Sequence, residues 1–360
     1  MSLSLVDKII NNAISEELFP GAALGIVYNT HFVVERYYGR HSFVPWTRKI
    51  DKNSIFDLAS LTKPIGTALS IALLAEKDKI DLSDSLSGFF RNCPSDKANI
   101  TIFQLLSHTS GLPSWLPLYK KAPNKNDTRK YYRKYILKAK LAFEPGSNFL
   151  YSDLGFILLG FIVEIVSKKM LFDFFEKELF KLANVKFYSS KDLELVKELV
   201  VPTGFCPIRR RNILLETNDL NTALSSHTLG HAGLFSNLAN LINYLRLILA
   251  IYKKRVKIEK WLDMNILDKM FRPLKKPAST TFALGFDTPS RKNSSSGTLF
   301  SKNSIGHLGY TGTSFWIDLD KEIIIIFLSN RTFPFDKREE RLKMKDFRAM
   351  LHDKIMESIW

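Results

Sequence analysis

The chain has 360 residues, room for two domains or one large one. With 45% hydrophobic and 24% charged residues, wholesale disorder is excluded, and a mean hydropathy of -0.06 excludes a polytopic membrane protein. Lys plus Arg number 52 against 36 Asp plus Glu, a net charge of +16 and a pI near 9.6, which favours anionic partners by long-range attraction and says nothing of fold.

Cys93 and Cys206 are too few for a disulfide framework and lack zinc-ligand spacing. Asp7, Lys8 and an Asn pair interrupt the first 14 residues, so no secretory signal is read there. The longest apolar run, 154–166, contains Glu164 and falls short of the roughly 20 residues of a membrane span. The expectation is a cytoplasmic protein with no membrane span.

Leu5, Val6, Ile9, Ile10 and Ala13 recur at helical spacing and predict an opening helix, stopped at Pro20-Gly21. Residues 22–28 and 32–38 predict a hairpin around Asn29-Thr30-His31. An apolar helix is expected over 61–74, starting near Ser60, and a short one over 101–107. Residues 119–140 carry nine Lys/Arg against one acid, Asp127. A turn at Glu144-Pro145-Gly146 leads to Tyr151-Ser152-Asp153 and an apolar helix over 154–167. Residues 170–275 read as mainly helical, with a loop over 201–228. A Ser-rich turn at 292–297, strands at 304–311, 314–318 and 322–328, and a helix over 338–359 close the chain. Neither terminal set of strands is large enough to stand alone, so both are expected in one sheet. The expected division is a discontinuous α/β (α+β) domain, 1–65 with 275–360, and a mainly helical inserted domain, 66–274, with the active site at their interface.

Ser60-Leu61-Thr62-Lys63 is the one place where a Ser is followed three residues later by Lys. On a helix the two share a face. A Ser hydroxyl needs a base to become a nucleophile, and a Lys amine serves when burial or positive neighbours lower its pKa. Alone, the quartet reads most simply as a capping Ser beside a surface Lys. Tyr151 starts a helix and could relay protons if cations stabilise its phenolate, though such an aromatic is commonly just packing. His307-Leu308-Gly309 lies on an expected edge strand, where Gly309 would let a substrate approach and the Tyr310 N–H could face an oxyanion.

Together and in this order these segments resemble the serine β-lactamase and penicillin-binding-protein superfamily, nearest its branch of class C β-lactamases, DD-peptidases and family VIII esterases. Leu58-Ala59-Ser60-Leu61-Thr62-Lys63-Pro64, Leu105-Leu106-Ser107-His108-Thr109-Ser110-Gly111-Leu112-Pro113, Tyr151-Ser152-Asp153-Leu154-Gly155-Phe156, Gly230-His231-Ala232-Gly233-Leu234-Phe235-Ser236 and His307-Leu308-Gly309-Tyr310-Thr311-Gly312 carry the resemblance, across roughly residues 20–330. It implies a β-lactamase/transpeptidase-like fold, an antiparallel sheet flanked by helices. It implies Ser60 as acylated nucleophile, Lys63 as base or relay, Tyr151 as proton donor to the leaving group, and the N–H groups of Ser60 and Tyr310 as oxyanion hole. Asp153, His307 and Gly309 are implied to line the substrate site, with no cofactor and no metal. Two positions depart from the family pattern. Asp153 stands where Asn is usual and, ionised, cannot donate to a substrate carbonyl. His307 stands where β-lactamases carry Lys, and near neutral pH an ordinary His is only partly charged. Both shift the expectation towards esters, amides or small peptides.

His227 and His231 are four apart, but the flanking glycines argue against a metal-binding helix. The basic stretch at 119–140 interleaves Tyr131, Tyr132 and Tyr135 with cations, a pattern of single-strand nucleic-acid platforms, yet no nucleic-acid module accompanies it. The reading is therefore a serine hydrolase working through an acyl-enzyme on a small molecule, an anionic one being favoured by the basic charge, and not a nucleic-acid binder. A true β-lactamase or D-amino-acid-specific peptidase, and a catalytically weak binding protein of the same fold, are the alternatives. The oligomeric state is not legible.

Overall fold

The computed structural model describes residues 3–29, 31–120, 128–277, 280–290 and 292–359. A five-stranded antiparallel sheet joins the two ends of the chain. Its strands are β1 (Gly21–Tyr28), β2 (Phe32–Gly39), β3 (Ser304–Leu308), β4 (Ser314–Asp318) and β5 (Ile323–Ser329), in the order β2-β1-β5-β4-β3. The seam between the ends is β1 against β5, where Gly25 faces Ile326.

Alternation decides the two faces, because successive strand residues point to opposite sides. On β1 and β5, Ala22, Leu24, Ile26, Ile323, Ile325 and Phe327 pack under the first helix, α1 (Ser4–Ser15), and the last, α7 (Arg338–Ile359). Ala23, Val27, Ile324, Ile326 and Leu328 face the larger core on the other side. That core is filled by α2 (Leu69–Glu76), α3 (Thr128–Lys138), α4 (Asp153–Ser167), α5 (Leu238–Tyr252) and α6 (Met264–Phe271). Both sheet faces are covered, which is why these strands read as unbroken apolar runs.

The expected helix at 61–74 is instead three pieces. A 3₁₀ turn, Ala59–Leu61, passes into a wide π-type turn, Lys63–Ala68, before regular α2 begins. Pro64 removes a backbone donor at the point where the pitch widens. Side chains satisfy carbonyls of the loosened turn: Tyr244 Oη donates to Ile65 O at 3.0 Å and Ser70 Oγ to Gly66 O at 2.8 Å. Within the expected 201–228 loop lie a small hairpin, Gly204–Cys206 with Arg211–Ile213, and a helical turn, Leu220–Ser225. The basic stretch forms α3 from Thr128 on, with Tyr132 buried inward; residues 121–127 and Thr30 of the hairpin turn lie outside the described residues.

Gly230 marks where α4 meets the segment behind the π-type turn. A Cβ there would lie 1.9 Å from the backbone oxygen of Phe156, and Thr67 Oγ1 donates to Gly230 O at 2.7 Å. Gly230→Ala should therefore destabilise the fold by about 1–3 kcal/mol. Urea unfolding of the variant beside the parent checks this; equal midpoints would show that the backbone yields freely there.

Candidate active site

Ser60 follows a residue under strain. Ala59 has φ +47°, a conformation that costs L-residues roughly 1–2 kcal/mol. The buried Asp57 stabilises it, accepting from Ala59 N at 2.9 Å through Oδ1 and from Asn218 N at 2.7 Å through Oδ2. Burial with no paired cation lifts the Asp57 carboxyl to about 6 despite those bonds. This tight bend aims the Ser60 side chain out of the core.

One turn on, Lys63 is completely buried. Its ammonium donates to Ser60 Oγ at 2.9 Å and to the His231 carbonyl at 3.3 Å, and lies 2.7 Å from Asp153 Oδ1. It also sits 4.8 Å from the centre of the Tyr151 ring. The Tyr151 hydroxyl hydrogen-bonds to both Lys63 and Ser60. The structure thus brings Ser60, Lys63, Tyr151 and Asp153 into one contiguous group, from chain segments about 90 residues apart.

The electrostatics correct the expected state of Lys63. Burial alone would lower its pKa, but Asp153 and Tyr151 outweigh burial and hold it above its ordinary value. The resting group is an ammonium, not a free amine. Tyr151 is raised as well, because burial and the Asp153 charge exceed the help from Lys63. Asp153 is the departure that sets both states. It occupies the first turn of α4, where a helix favours negative charge, directly after the capping Ser152, whose Oγ accepts from Gly155 N at 3.2 Å.

His307 is corrected too. It lies on edge strand β3 as expected, but it is buried, its Nδ1 is 2.9 Å from Leu308 O, and desolvation reinforced by Lys63 brings its pKa down to about 3. It is a neutral side chain, not a partial cation. The main demand on Gly309 also differs from substrate approach: a Cβ would lie 2.0 Å from Thr313 Oγ1 and 2.8 Å from Leu58 O. Closeness here locks the Gly309–Thr313 turn to the Asp57–Leu58 segment that leads into Ser60. Gly309 N donates to Thr313 O at 2.7 Å, Thr311 Oγ1 to Asp57 O at 2.7 Å and Thr313 Oγ1 to Leu58 O at 3.2 Å.

A cleft of about 360 Å³ opens over this group, lined by Ser60, Tyr151, Phe282, Asp287, His307, Leu308, Gly309 and Tyr310. Phe282 and Asp287 were not singled out from sequence, where an ordinary Phe and Asp in a loop give no signal. His108 is a further missed residue. Its Nδ1 accepts from Ser152 N at 3.0 Å and its ring lies 4.5 Å from that of Tyr151, so it orients the Tyr151 segment. Burial, then Lys63 and His307, keep it neutral. His231 is paired with Asp219 at 3.0 Å, and among the described residues no group of three or more His, Cys, Asp or Glu is placed to hold a metal. Among those residues, no helix is long and apolar enough to cross a membrane.

A sequence model of the Beta-lactamase family matches residues 6–348. An N-acetylmuramyl-L-alanine amidase of Bacillus subtilis (strain 168) is 29% identical, over 91% of this chain and 81% of that one. Among solved structures, an octameric penicillin-binding protein homologue from Pyrococcus abyssi superposes with a TM-score of 0.72 at 21% identity, over 92% of this chain and 74% of that one. EstCE1, a hydrolase with promiscuous acyltransferase activity, superposes at 0.74 with 19% identity, over 96% and 97%. These two structures share the fold of this chain.

Removing the Asp153 charge should lower the pKa of Lys63 and of Tyr151 together. In Asp153→Asn the rising limb of the pH–rate profile for acylation should move to lower pH by about 1–3 units. An unmoved limb would mean that neither group titrates in that step. The stability contributed by the raised Lys63 is present at neutral pH and is lost only as pH rises through its folded pKa, so Asp153→Asn should cost stability at pH 7.

Proposed function

The chain belongs to the β-lactamase family and is a serine hydrolase of that family, and we propose that Ser60 is its nucleophile, acting on small esters, amides or peptides through an acyl-enzyme. The observation that carries this is the buried Lys63 ammonium in contact with Ser60, Tyr151 and Asp153 at the floor of an open cleft. We place the cleft where the sheet-bearing ends of the chain meet the helical middle.

Ser60 Oγ attacks the acyl carbon and its proton passes to the Lys63–Tyr151 pair. Lys63, protonated at rest, accepts it only as it hands one of its own to the Asp153 carboxylate 2.7 Å away. Tyr151, bonded to both Ser60 and Lys63, is placed to protonate the leaving group and later to activate water for deacylation. The N–H groups of Ser60 and Tyr310 stabilise the oxyanion, and the rigid Gly309–Thr313 turn keeps the second donor in place.

The substrate reading follows from the cleft wall. Among the described residues no Lys or Arg lines its wall, the Lys63 ammonium at the floor is paired with Asp153, and His307 is neutral, so a substrate carboxylate meets no unpaired cation among them. This favours esters and amides over β-lactams, in line with a relative named as an amidase. Cys93 and Cys206 are both free, which supports a reducing compartment such as the cytoplasm.

Ser60→Ala should abolish labelling by a serine-directed fluorophosphonate and all turnover of a short-chain p-nitrophenyl ester. Lys63→Ala should slow acylation by about 10²–10⁴-fold. Retained labelling in Ser60→Ala would place the nucleophile elsewhere. A chromogenic cephalosporin run in parallel should be cleaved far more slowly than the ester; faster cleavage would restore the β-lactamase reading.

A further inference from the structure

Among the described residues, Asp287 is the one acidic residue lining the cleft. It reaches the wall because its segment docks on the free edge of β3: Asp287 N donates to Gly306 O at 2.8 Å and Gly306 N to Asp287 O at 2.9 Å. That sets the Asp287 backbone opposite Gly306, next in the chain to His307, and Asp287, His307 and Ser60 line the same cleft. Thr281 Oγ1 and Thr288 N both donate to Oδ1, each at 2.9 Å. Among the described residues, no hydrogen bond falls on Oδ2, and no Lys or Arg forms an ion pair with Asp287. Burial, only partly offset by those two bonds, raises the carboxyl to about 7.

The other charges near the cleft are already matched. Lys63 is neutralised by Asp153. Arg331 and Arg341, behind Tyr310, both turn to Asp336, and Arg331 also donates to Tyr310 O at 2.5 Å. His307 carries no charge. What remains facing the cleft is a half-buried carboxyl without a counter-ion. A cation seated against it would gain a charge-assisted hydrogen bond and relieve the carboxyl's desolvation. A substrate anion would be repelled by the ionised form of that carboxyl.

We propose that Asp287 recognises a positively charged group on the substrate, so that the enzyme prefers acyl donors bearing a free ammonium, such as amino-acid esters, amides and peptide N-termini, over acylated or carboxylate-bearing ones. This rests on the cleft being the active site. The bound ammonium stays intact, and the acyl group passes to Ser60 and then to water as for any other donor.

The test compares alanine benzyl ester with N-acetylalanine benzyl ester, each as D and L forms, in the parent and in Asp287→Asn. Asn keeps the Oδ1 acceptor for Thr281 and Thr288, and thermal unfolding confirms that the variant is folded. The parent should favour the free amine by about 10-fold or more in kcat/KM, as expected for one hydrogen bond to a charged group, and Asp287→Asn should erase that ratio mainly through KM. Equal turnover of both esters by the parent, or a ratio that survives in Asp287→Asn, overturns the proposal. So does turnover of neither ester by an enzyme that hydrolyses p-nitrophenyl acetate through Ser60. Ester hydrolysis that persists in Ser60→Ala would instead overturn the assignment of the site itself.

Discussion

A completely buried ammonium organises this molecule. Placing a Lys charge in a protein interior carries an effective penalty of several kcal/mol unless it is paired and hydrogen-bonded. Lys63 meets that requirement with one carboxylate, two hydroxyls and one carbonyl, drawn from three separate stretches of chain. The Ser60 turn, the start of α4 and the Gly230–His231 segment are therefore tied to a single point. Removing Asp153 leaves an uncompensated buried charge on Lys63, so at this residue structure and chemistry are coupled.

A second set of bonds fixes the opposite wall. The Gly309–Thr313 turn is held to Asp57 and Leu58 by two threonine hydroxyls, and from behind by Arg331 on Tyr310 O and Arg348 on Thr313 O. Arg348, on α7, is buried and among the described residues has no carboxylate partner, and burial lowers its pKa to about 9. Accepting that desolvation for one backbone contact makes sense only if the turn must not move. The terminal helix thus serves the site, although it lies on the far side of the sheet.

The parts legible in sequence were those written in short, local patterns. Alternation and apolar spacing located all five strands of the sheet and the first and last helices that cover one face, because period and face depend on neighbours in the chain, whereas α5, which packs on β1 and β5, was read only as part of a mainly helical 170–275. Ser60 with Lys63 and the Tyr151 segment were legible for the same reason. The charge states were not. Lys63 is an ammonium because a residue 90 positions away faces it, and His307 is neutral because the fold buries it beside that ammonium. The π-type turn was hidden because residues 61–74 suit an ordinary apolar helix, and its wide pitch depends on Pro64 together with a hydroxyl from distant Tyr244. Asp287 was invisible because nothing in Leu284-Gly285-Phe286-Asp287 tells that it docks on the edge of β3.

The net charge of +16 illustrates the limits of bulk composition. It pointed towards anionic substrates, whereas among the described residues the cleft wall carries no Lys or Arg and one carboxyl without an ion-pair partner. The two statements act at different ranges. At physiological ionic strength the field of surface lysines fades over about 8 Å, so it influences approach more than seating. Inside the cleft the effective dielectric is lower and a single facing carboxylate outweighs many screened surface charges. Local desolvation, not net charge, therefore governs what the site holds, and the same rule that makes Asp153 decide the state of Lys63 makes Asp287 decide the sign of the ligand.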